Sequence, residues 1–432
     1  MQTVKVGLIG FGTIGSGVAR ILLEKTDHLA RQAGKRIELA RVVDKDLTSR
    51  RNVALPPGLL SDDLDALVND PEISVVVQLV GGSGIAKEIM LRVLESGKDV
   101  VTANKALLAH HGPELFAKAR ELGRTIAFEA AVGGGMPIIA GVGLSLAANR
   151  IESIRAIVNG TTNFILSEMS MKGSSYDEAV KEAQRLGFAE ADPTMDVNGT
   201  DAAQKLAILA QLAFGANADW AQIPRIGVDS LGVVDLENAR KLGCVVKLIA
   251  QATRTPEGLN LSVAPTLIPS NSPMAEVNGA FNALEAVGDF VGRSFFLGLG
   301  AGQEPTASAV VADVLDMVAG RAPITFRNQA LWSSDSGAVP VCPAAQVPGR
   351  FYLRFDVDDV PELVTQVPEL FGKYGVSVAS VASVDRHESG EDLVSLVVMT
   401  EETTEGAIHE AIDSLEAFSI AKDDVVRMRV EG

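Results

Sequence analysis

The spacing of apolar residues changes period several times along this 432-residue chain, and those changes divide it into elements. Residues 3–9, Thr-Val-Lys-Val-Gly-Leu-Ile, are short and β-rich, and an amphipathic helical pattern runs on to about Glu24. Residues 37–43 and the largely apolar 74–80 read as further strands, the second suited to a parallel sheet covered on both faces. Helices ending near Ser96 and spanning 112–122 alternate with strands at 98–102 and 125–129. This β–α alternation predicts a doubly wound parallel sheet with ligands at the carboxyl ends of its strands.

From about Arg150 the pattern changes. Residues 151–158 alternate as a half-buried strand, 159–163 read as a polar turn, and two helices follow. The second helix opens on the capping-box spacing Ser175 to Glu178 and closes at Gly187. A long helix is expected over 200–214, and 259–268 and 278–287 read as strands of an open sheet covered by helices on one face. Serine, glycine and proline over 333–349 read as a linker. The tail gives strand 352–357, helix 361–374, strands 376–385 and 393–400, helix 404–418 and strand 425–430, a ferredoxin-like βαββαβ order.

The expected class is therefore α/β. A Rossmann-like domain covers 1–135 and is completed by 300–320. An α+β catalytic domain with an open sheet covers 136–330, a linker 331–349, and a ferredoxin-like domain 350–432.

Charge and composition narrow the function. With 38 basic and 55 acidic residues the net charge is −17, and aromatics are 5%, a combination unsuited to nucleic-acid backbones or base stacking. The two cysteines, Cys244 and Cys342, and five histidines form no cluster with zinc-ligand spacing. The N-terminus runs straight into a strand and no apolar run reaches membrane length, so the expected location is cytoplasmic.

The chemistry concentrates in a few stretches. Gly10-Phe11-Gly12-Thr13-Ile14-Gly15 lies between a strand and a helix, where glycines permit a tight turn and close approach to a pyrophosphate. The alternative is a glycine-rich turn of some other α/β domain. Asp44 ends the second strand, where an acid commonly binds ribose hydroxyls; Lys45, Arg50 and Arg51 follow and suit either a 2′-phosphate or an ordinary solvated loop, leaving NAD and NADP both open. Lys105 follows the fourth strand end. Glu129 and the glycines of 133–135 form either a hinge or an oxygen-rich cation site.

The stretch 187–205, Gly-Phe-Ala-Glu-Ala-Asp-Pro-Thr-Met-Asp-Val-Asn-Gly-Thr-Asp-Ala-Ala-Gln-Lys, carries four carboxylates and a lysine. Asp201 and Lys205 are four apart on the expected helix. A surface pair at that spacing is worth only ~0.3–0.5 kcal/mol. The apolar flanks, through Leu206-Ala207-Ile208-Leu209-Ala210, point to burial instead, and buried charges are paired or functional. An aldehyde-reducing dehydrogenase needs a proton donor at the developing alkoxide and anchors for the rest of the substrate. Lys205 suits the first role with Asp201 orienting it, Lys105 supplies positive charge, and Glu190 and Asp196 suit a substrate ammonium.

Taken with Thr102-Ala103-Asn104-Lys105, residues 129–137, Asn159-Gly160-Thr161-Thr162-Asn163 and 300–309, the central stretch makes the chain resemble the homoserine dehydrogenases that carry a C-terminal ACT domain. The resemblance spans essentially the whole length. It implies NAD(P)-dependent interconversion of L-homoserine and L-aspartate 4-semialdehyde on the route to threonine and methionine. It further implies Lys205 as proton donor, Lys105 at cofactor and substrate, and Glu190 and Asp201 on the amino acid. Gly187 and Gly302 would lie by the nicotinamide. A monovalent cation, sodium or potassium, would be held by Glu129, Val132, Gly134 and Met136, chiefly through backbone oxygens. The second sheet would form the interface of a homodimer or homotetramer.

The tail departs from its pattern. Asp359-Val360-Pro361-Glu362 has glutamate where amino-acid-binding ACT domains carry glycine; Asp385-Arg386-His387 stands where a glutamine commonly ends the second strand; Glu401 replaces a histidine. Threonine inhibition is therefore not expected, and the tail reads as an assembly module or a site for another amino-acid effector.

Two alternatives fail on residues. An aspartate-semialdehyde dehydrogenase needs a thiol nucleophile, and neither Cys244, in an apolar run, nor Cys342, in the linker, fits. A non-catalytic sensor has no use for Lys105, Asp201 and Lys205 together.

Overall fold

The computed structural model describes residues 1–333, 338–357, 360–388, 391–417, 420–421 and 425–431. The chain forms two compact units, Met1–Glu152 with Gln204–Trp220 and Ala283–Val339, and Ser153–Ala203 with Ala221–Asn282 and Pro340–Gly432.

In the first unit, six strands form one sheet in the order Leu60–Ser61, Arg36–Val43, Thr3–Ile9, Ile73–Gln78, Asp99–Thr102, Ile126–Ala127. Every pairing is parallel. Numbered along the chain this is the 3-2-1-4-5-6 order of a dinucleotide-binding fold, which puts the crevice at the carboxyl ends of the first and fourth strands. The valines and leucines of these strands face helices: Val6, Leu8, Val42 and Val77 share a core with Val18 and Leu22 of helix Thr13–Glu24 and with Val310, Val311 and Val314 of helix Gln303–Ala319. Each such buried side chain contributes about 1.5–3 kcal/mol. A helix from late in the sequence thus completes the core of the first hundred residues.

In the second unit, Ile151–Ile157 pairs antiparallel with Cys244–Arg254, which pairs antiparallel with Leu259–Pro269. The last strand, Val426–Val430, joins parallel to Leu259–Pro269 through Arg429↔Thr266 and Val430↔Leu267. It also pairs antiparallel with Pro348–Val357, which continues to Glu391–Thr400 and Val378–Glu388. With helices Val360–Gly372 and Glu405–Ala417 this is the expected βαββαβ order, built on Phe351, Leu353, Phe355, Phe371, Leu396 and Leu415.

Four elements differ from expectation. Cys244–Arg254 and Gly292–Leu299 are strands; the first is apolar on both faces over much of its length, so its pattern carries no alternation to read. The helix expected over 112–122 begins at Lys105 and runs to Glu121, because Asn104 caps it and Pro113 is accommodated inside. The polar turn at 159–163 is the cap and first turn of helix Gly160–Lys172. Asp359 lies outside the described residues, as do the side chains of Val360, Pro361, Asp385, Arg386 and His387 and part of the 331–349 linker. No helix among the described residues is long and apolar enough to cross a membrane.

Candidate active site

The dinucleotide loop is dictated by its glycines. Gly10 has φ +94, and a Cβ there would meet the Leu79 carbonyl carbon at 2.9 Å; a Cβ on Gly15 would lie 2.0 Å from the Gly10 carbonyl oxygen. Any side chain at either position forces the turn open. At Gly12, the N-cap of helix Thr13–Glu24, a Cβ would meet nothing within 4 Å, so the protein leaves room in front of the helix N-terminus where a pyrophosphate would be bound. Thr13 and Ile14 form the first turn, and Gln303 Nε2 donates to the Thr13 carbonyl (2.8 Å) and the Ser16 hydroxyl (2.9 Å), fixing that turn from a distant helix.

Asp44 stands at the end of Arg36–Val43 as expected. Its carboxylate accepts the Phe11 N–H on one oxygen and the Asp46 N–H on the other, which orients it towards the glycine loop. Arg51 covers the Phe11 ring at 5.3 Å and donates to the Phe11 carbonyl at 3.1 Å and the Asp46 carbonyl at 2.9 Å. The Asp44 carboxylate and a fixed guanidinium therefore sit on one loop, with Lys45 and Arg50 exposed beside them.

Lys105 is the first residue of its helix. Asn104 places it: its side-chain oxygen accepts the Leu107 N–H at 2.9 Å, and its amide donates to the carbonyls of Val80 (2.9 Å) and Gly82 (2.7 Å). Beneath it the buried Thr102 hydroxyl donates to Gln78 at 3.0 Å. These residues tie two strand ends and the glycine turn at 81–84 into one platform. Asn104 escaped sequence reading as a positioning group, although asparagine three residues before a leucine is a recognisable cap signal.

Glu129 is buried in the short turn before Met136. Its oxygens each accept one backbone N–H at 2.8 Å, from Ile139 and Ala140, while its own N–H donates to Asp313. Burial pushes both carboxyls, Glu129 and Asp313, above the usual carboxylate range; the charge of Asp316 adds to the rise at each, and that of Glu129 adds to it at Asp313. Gly134 has φ +56 and leaves no room for a side chain against the Gly300 carbonyl; the Met136 carbonyl accepts the Ile138 N–H. Val132, Gly134 and Met136, expected with Glu129 to hold a cation, are buried in the same stretch. No group of three or more His, Cys, Asp or Glu side chains among the described residues is arranged to hold a metal. Gly302, φ +115, caps helix Gln303–Ala319.

The acidic stretch divides its carboxylates among different tasks. Helix Tyr176–Leu186 opens with the expected Ser175–Glu178 capping box and ends at Gly187, φ 79. Phe188 then leads out of that cap, its carbonyl accepting the Thr161 hydroxyl at 2.7 Å. Glu190 is exposed. Asp192 accepts the Thr194 N–H and hydroxyl, a local turn that opens helix Thr194–Val197. Asp196 and Asp201 converge on one group, the Asn159 amide, which donates to Asp196 at 2.7 Å and Asp201 at 2.8 Å. Asp201 is only 4% exposed, near the start of helix Thr200–Phe214, with Lys205 one turn on. Neither is an isolated surface charge.

A second anchor lies behind this turn. Asn163 donates to the carbonyls of Val277, Gly279 and Phe281, and the buried Lys247 ammonium bonds Asn163, Asn278 and the Val277 carbonyl. Sequence reading missed Lys247, which sits between apolar neighbours in strand Cys244–Arg254. A separate cavity of about 450 Å³ in this unit is lined by Arg155, Gln251, Ser262, Arg350, Arg429 and Glu431, and by none of the expected site residues.

The family model for homoserine dehydrogenase matches residues 137–315, and that for the homoserine dehydrogenase NAD binding domain matches residues 10–129. The homoserine dehydrogenase of Pseudomonas aeruginosa is 43% identical over 100% of this chain and 99% of its own; that of Synechocystis is 41% identical over 98% of each. Among solved structures, a homoserine dehydrogenase from Thiobacillus denitrificans superposes with TM-score 0.90 at 39% identity, covering 100% of this chain and 99% of that one. A hyperthermophilic archaeal homoserine dehydrogenase in complex with NADPH gives TM-score 0.61 at 28% identity over 73% of this chain and 97% of its own.

Proposed function

The chain belongs to the homoserine dehydrogenase family of NAD(P)-dependent oxidoreductases, and from that premise we propose how its residues divide the reaction between L-homoserine and L-aspartate 4-semialdehyde. When bound, the nicotinamide cofactor accepts or delivers the hydride. Gly10, Phe11, Gly12, Thr13, Ile14 and Gly15 hold its pyrophosphate. Asp44 takes ribose hydroxyls where the cofactor is NAD, and Arg51 with Lys45 and Arg50 receives a 2′-phosphate where it is NADP. Gly187 and Gly302 leave backbone approach at the nicotinamide end.

As the neutral amine, Lys205 Nζ takes the proton of the substrate hydroxyl in the oxidative direction, and as the resulting ammonium it returns that proton to the carbonyl oxygen in the reductive one, so proton and hydride leave or arrive together. Asp201 orients that ammonium, and Lys105 adds positive charge beside the developing alkoxide. Glu190, Asp196 and Asp201 bind the substrate ammonium. Glu129 and the carbonyls of Val132, Gly134 and Met136 hold sodium or potassium and stiffen the turn leading out of the dinucleotide domain. The active form is a homodimer or homotetramer. The C-terminal domain responds to an amino-acid effector other than threonine or serves assembly.

The observation that carries this reading is the burial of Asp201, one helical turn before a lysine and held by a dedicated amide. A surface ion pair would have no such support, whereas buried charges are retained where they are paired or used. The test is homoserine-dependent reduction of NAD or NADP, followed at the nicotinamide band with and without added sodium or potassium. Turnover with at least one cofactor is expected; none with either overturns the reading.

A further inference from the structure

We propose that Asn159 is a positioning residue of this reaction: its side-chain amide ties Asp201 to Asp196 and so fixes the carboxylate that orients Lys205. The inference rests on the role given to Asp201 above.

Asn159 has an evident structural job as the N-cap of helix Gly160–Lys172. Its side-chain oxygen accepts the Thr162 N–H at 2.8 Å and the Thr162 hydroxyl at 3.0 Å. That job occupies only the oxygen, and aspartate or serine would do it equally well. It also settles which way the amide points, so the Nδ2 end is turned to the acids. Both of its N–H groups are then spent on carboxylates, 2.7 Å to Asp196 and 2.8 Å to Asp201.

Two carboxylates within reach of one nitrogen repel each other and would spread apart, or share a proton, without a donor between them. A primary amide supplies two donors at a fixed angle and brings no charge that would compete with Lys205 for either acid. Aspartate and serine lack this pair of donors, so the choice of asparagine is unexplained by capping alone. The cap is further held in place because a Cβ on Gly160 would press on the Ala280 carbonyl at 2.8 Å and Asn163 grips the same loop. Asn159 itself is only 5% exposed.

The test compares Asn159→Ser and Asn159→Asp, both of which keep a cap acceptor and lose the donors, with Asp201→Asn and with the double variant Asn159→Ser/Asp201→Asn. Readouts are thermal melting, kcat and KM for homoserine, cofactor affinity and the pH profile of kcat/KM. The expected result for Asn159→Ser is a roughly 10- to 100-fold fall in kcat/KM with unchanged cofactor affinity, the size expected for a lost charge-assisted hydrogen bond. Asn159→Asp should in addition move the acid limb of the profile up by about one pH unit, because it adds a third carboxylate to the pair. The double variant should be no slower than Asp201→Asn, since Asn159 acts through that residue.

Folded Asn159→Ser with wild-type kcat/KM, or effects that multiply in the double variant, would overturn the inference. Should Asn159→Ser fail to fold, the near-isosteric Asn159→Asp carries the same cycle. Normal turnover in Asp201→Asn would instead remove the reading on which the inference stands; a slow Asp201→Asn beside a normal Asn159→Ser would sink the inference alone.

Discussion

Replacing Lys247 by methionine tests how the second unit holds the turn that carries Asn159. Lys247 is 3% exposed. Its ammonium bonds the Val277 carbonyl at 2.6 Å, Asn278 at 3.1 Å and Asn163 at 3.2 Å. Burial pulls its pKa down to about 8, against a smaller upward pull from Glu276. Keeping it charged at neutral pH therefore costs about 3 kcal/mol relative to a solvated lysine. Three charge-assisted hydrogen bonds, each worth roughly 1.5–3 kcal/mol, offset that.

Methionine removes both sides of the balance and leaves two side-chain oxygens, on Asn163 and Asn278, without their cation. Asn163 keeps its own three donations to the loop carbonyls. The net loss expected at pH 7 is about 1–3 kcal/mol.

The pH dependence gives the sharper test. The folded pKa lies below the unfolded one, so between about 8 and ~10.4 the unfolded chain binds more protons and this group adds stability as pH rises. Below about 8 both states carry the ammonium and the group adds no slope. Methionine does not titrate. Urea unfolding of wild type and Lys247→Met at pH 7 and pH 10 should show the gap between them widening by up to about 3 kcal/mol. A gap that is constant or shrinks would refute the claim that burial governs this lysine.

Two further outcomes follow from packing. Gly15→Val should weaken cofactor binding at least roughly tenfold in a fluorescence titration, because even its Cβ would fall 2.0 Å from the Gly10 carbonyl oxygen; unchanged affinity would contradict the loop's assignment. Arg354→Ala should cost about 3–5 kcal/mol in urea unfolding, since it strands the fully buried Asp235, which Arg354 bonds at 2.7 and 3.0 Å and Tyr352 at 3.0 Å, whereas Asp235→Leu/Arg354→Met should recover most of that loss.

What could be read from the sequence depended on how local the cause was. Gly15 was legible because its demand is made by the Gly10 carbonyl in the same turn. The capping box at Ser175 and the end at Gly187 were legible for the same reason. Strand Cys244–Arg254 was not, because a strand apolar on both faces over much of its length shows no period, and Lys247 within it finds its acceptors 30 or more residues away in the chain. The helix was expected over 112–122, whereas the Asn104 cap starts it at Lys105, with Pro113 inside it. The acidic stretch was recognisable by density alone, but not its division of labour. Asp192 closes a turn two residues long; Asp196 and Asp201 answer to Asn159, 37 and 42 residues earlier, a pairing that no spacing rule reveals.

The account turns on Lys205 as the group that moves the proton. The most direct measurement is the turnover of Lys205→Ala with homoserine and the preferred cofactor, set beside cofactor affinity measured by titration on the same preparation. A fall in kcat of at least about 100-fold, the contribution of a positioned general acid–base, with cofactor affinity within about threefold of wild type, is the predicted result. Turnover near the wild-type rate, in a variant that still binds the cofactor, would contradict it.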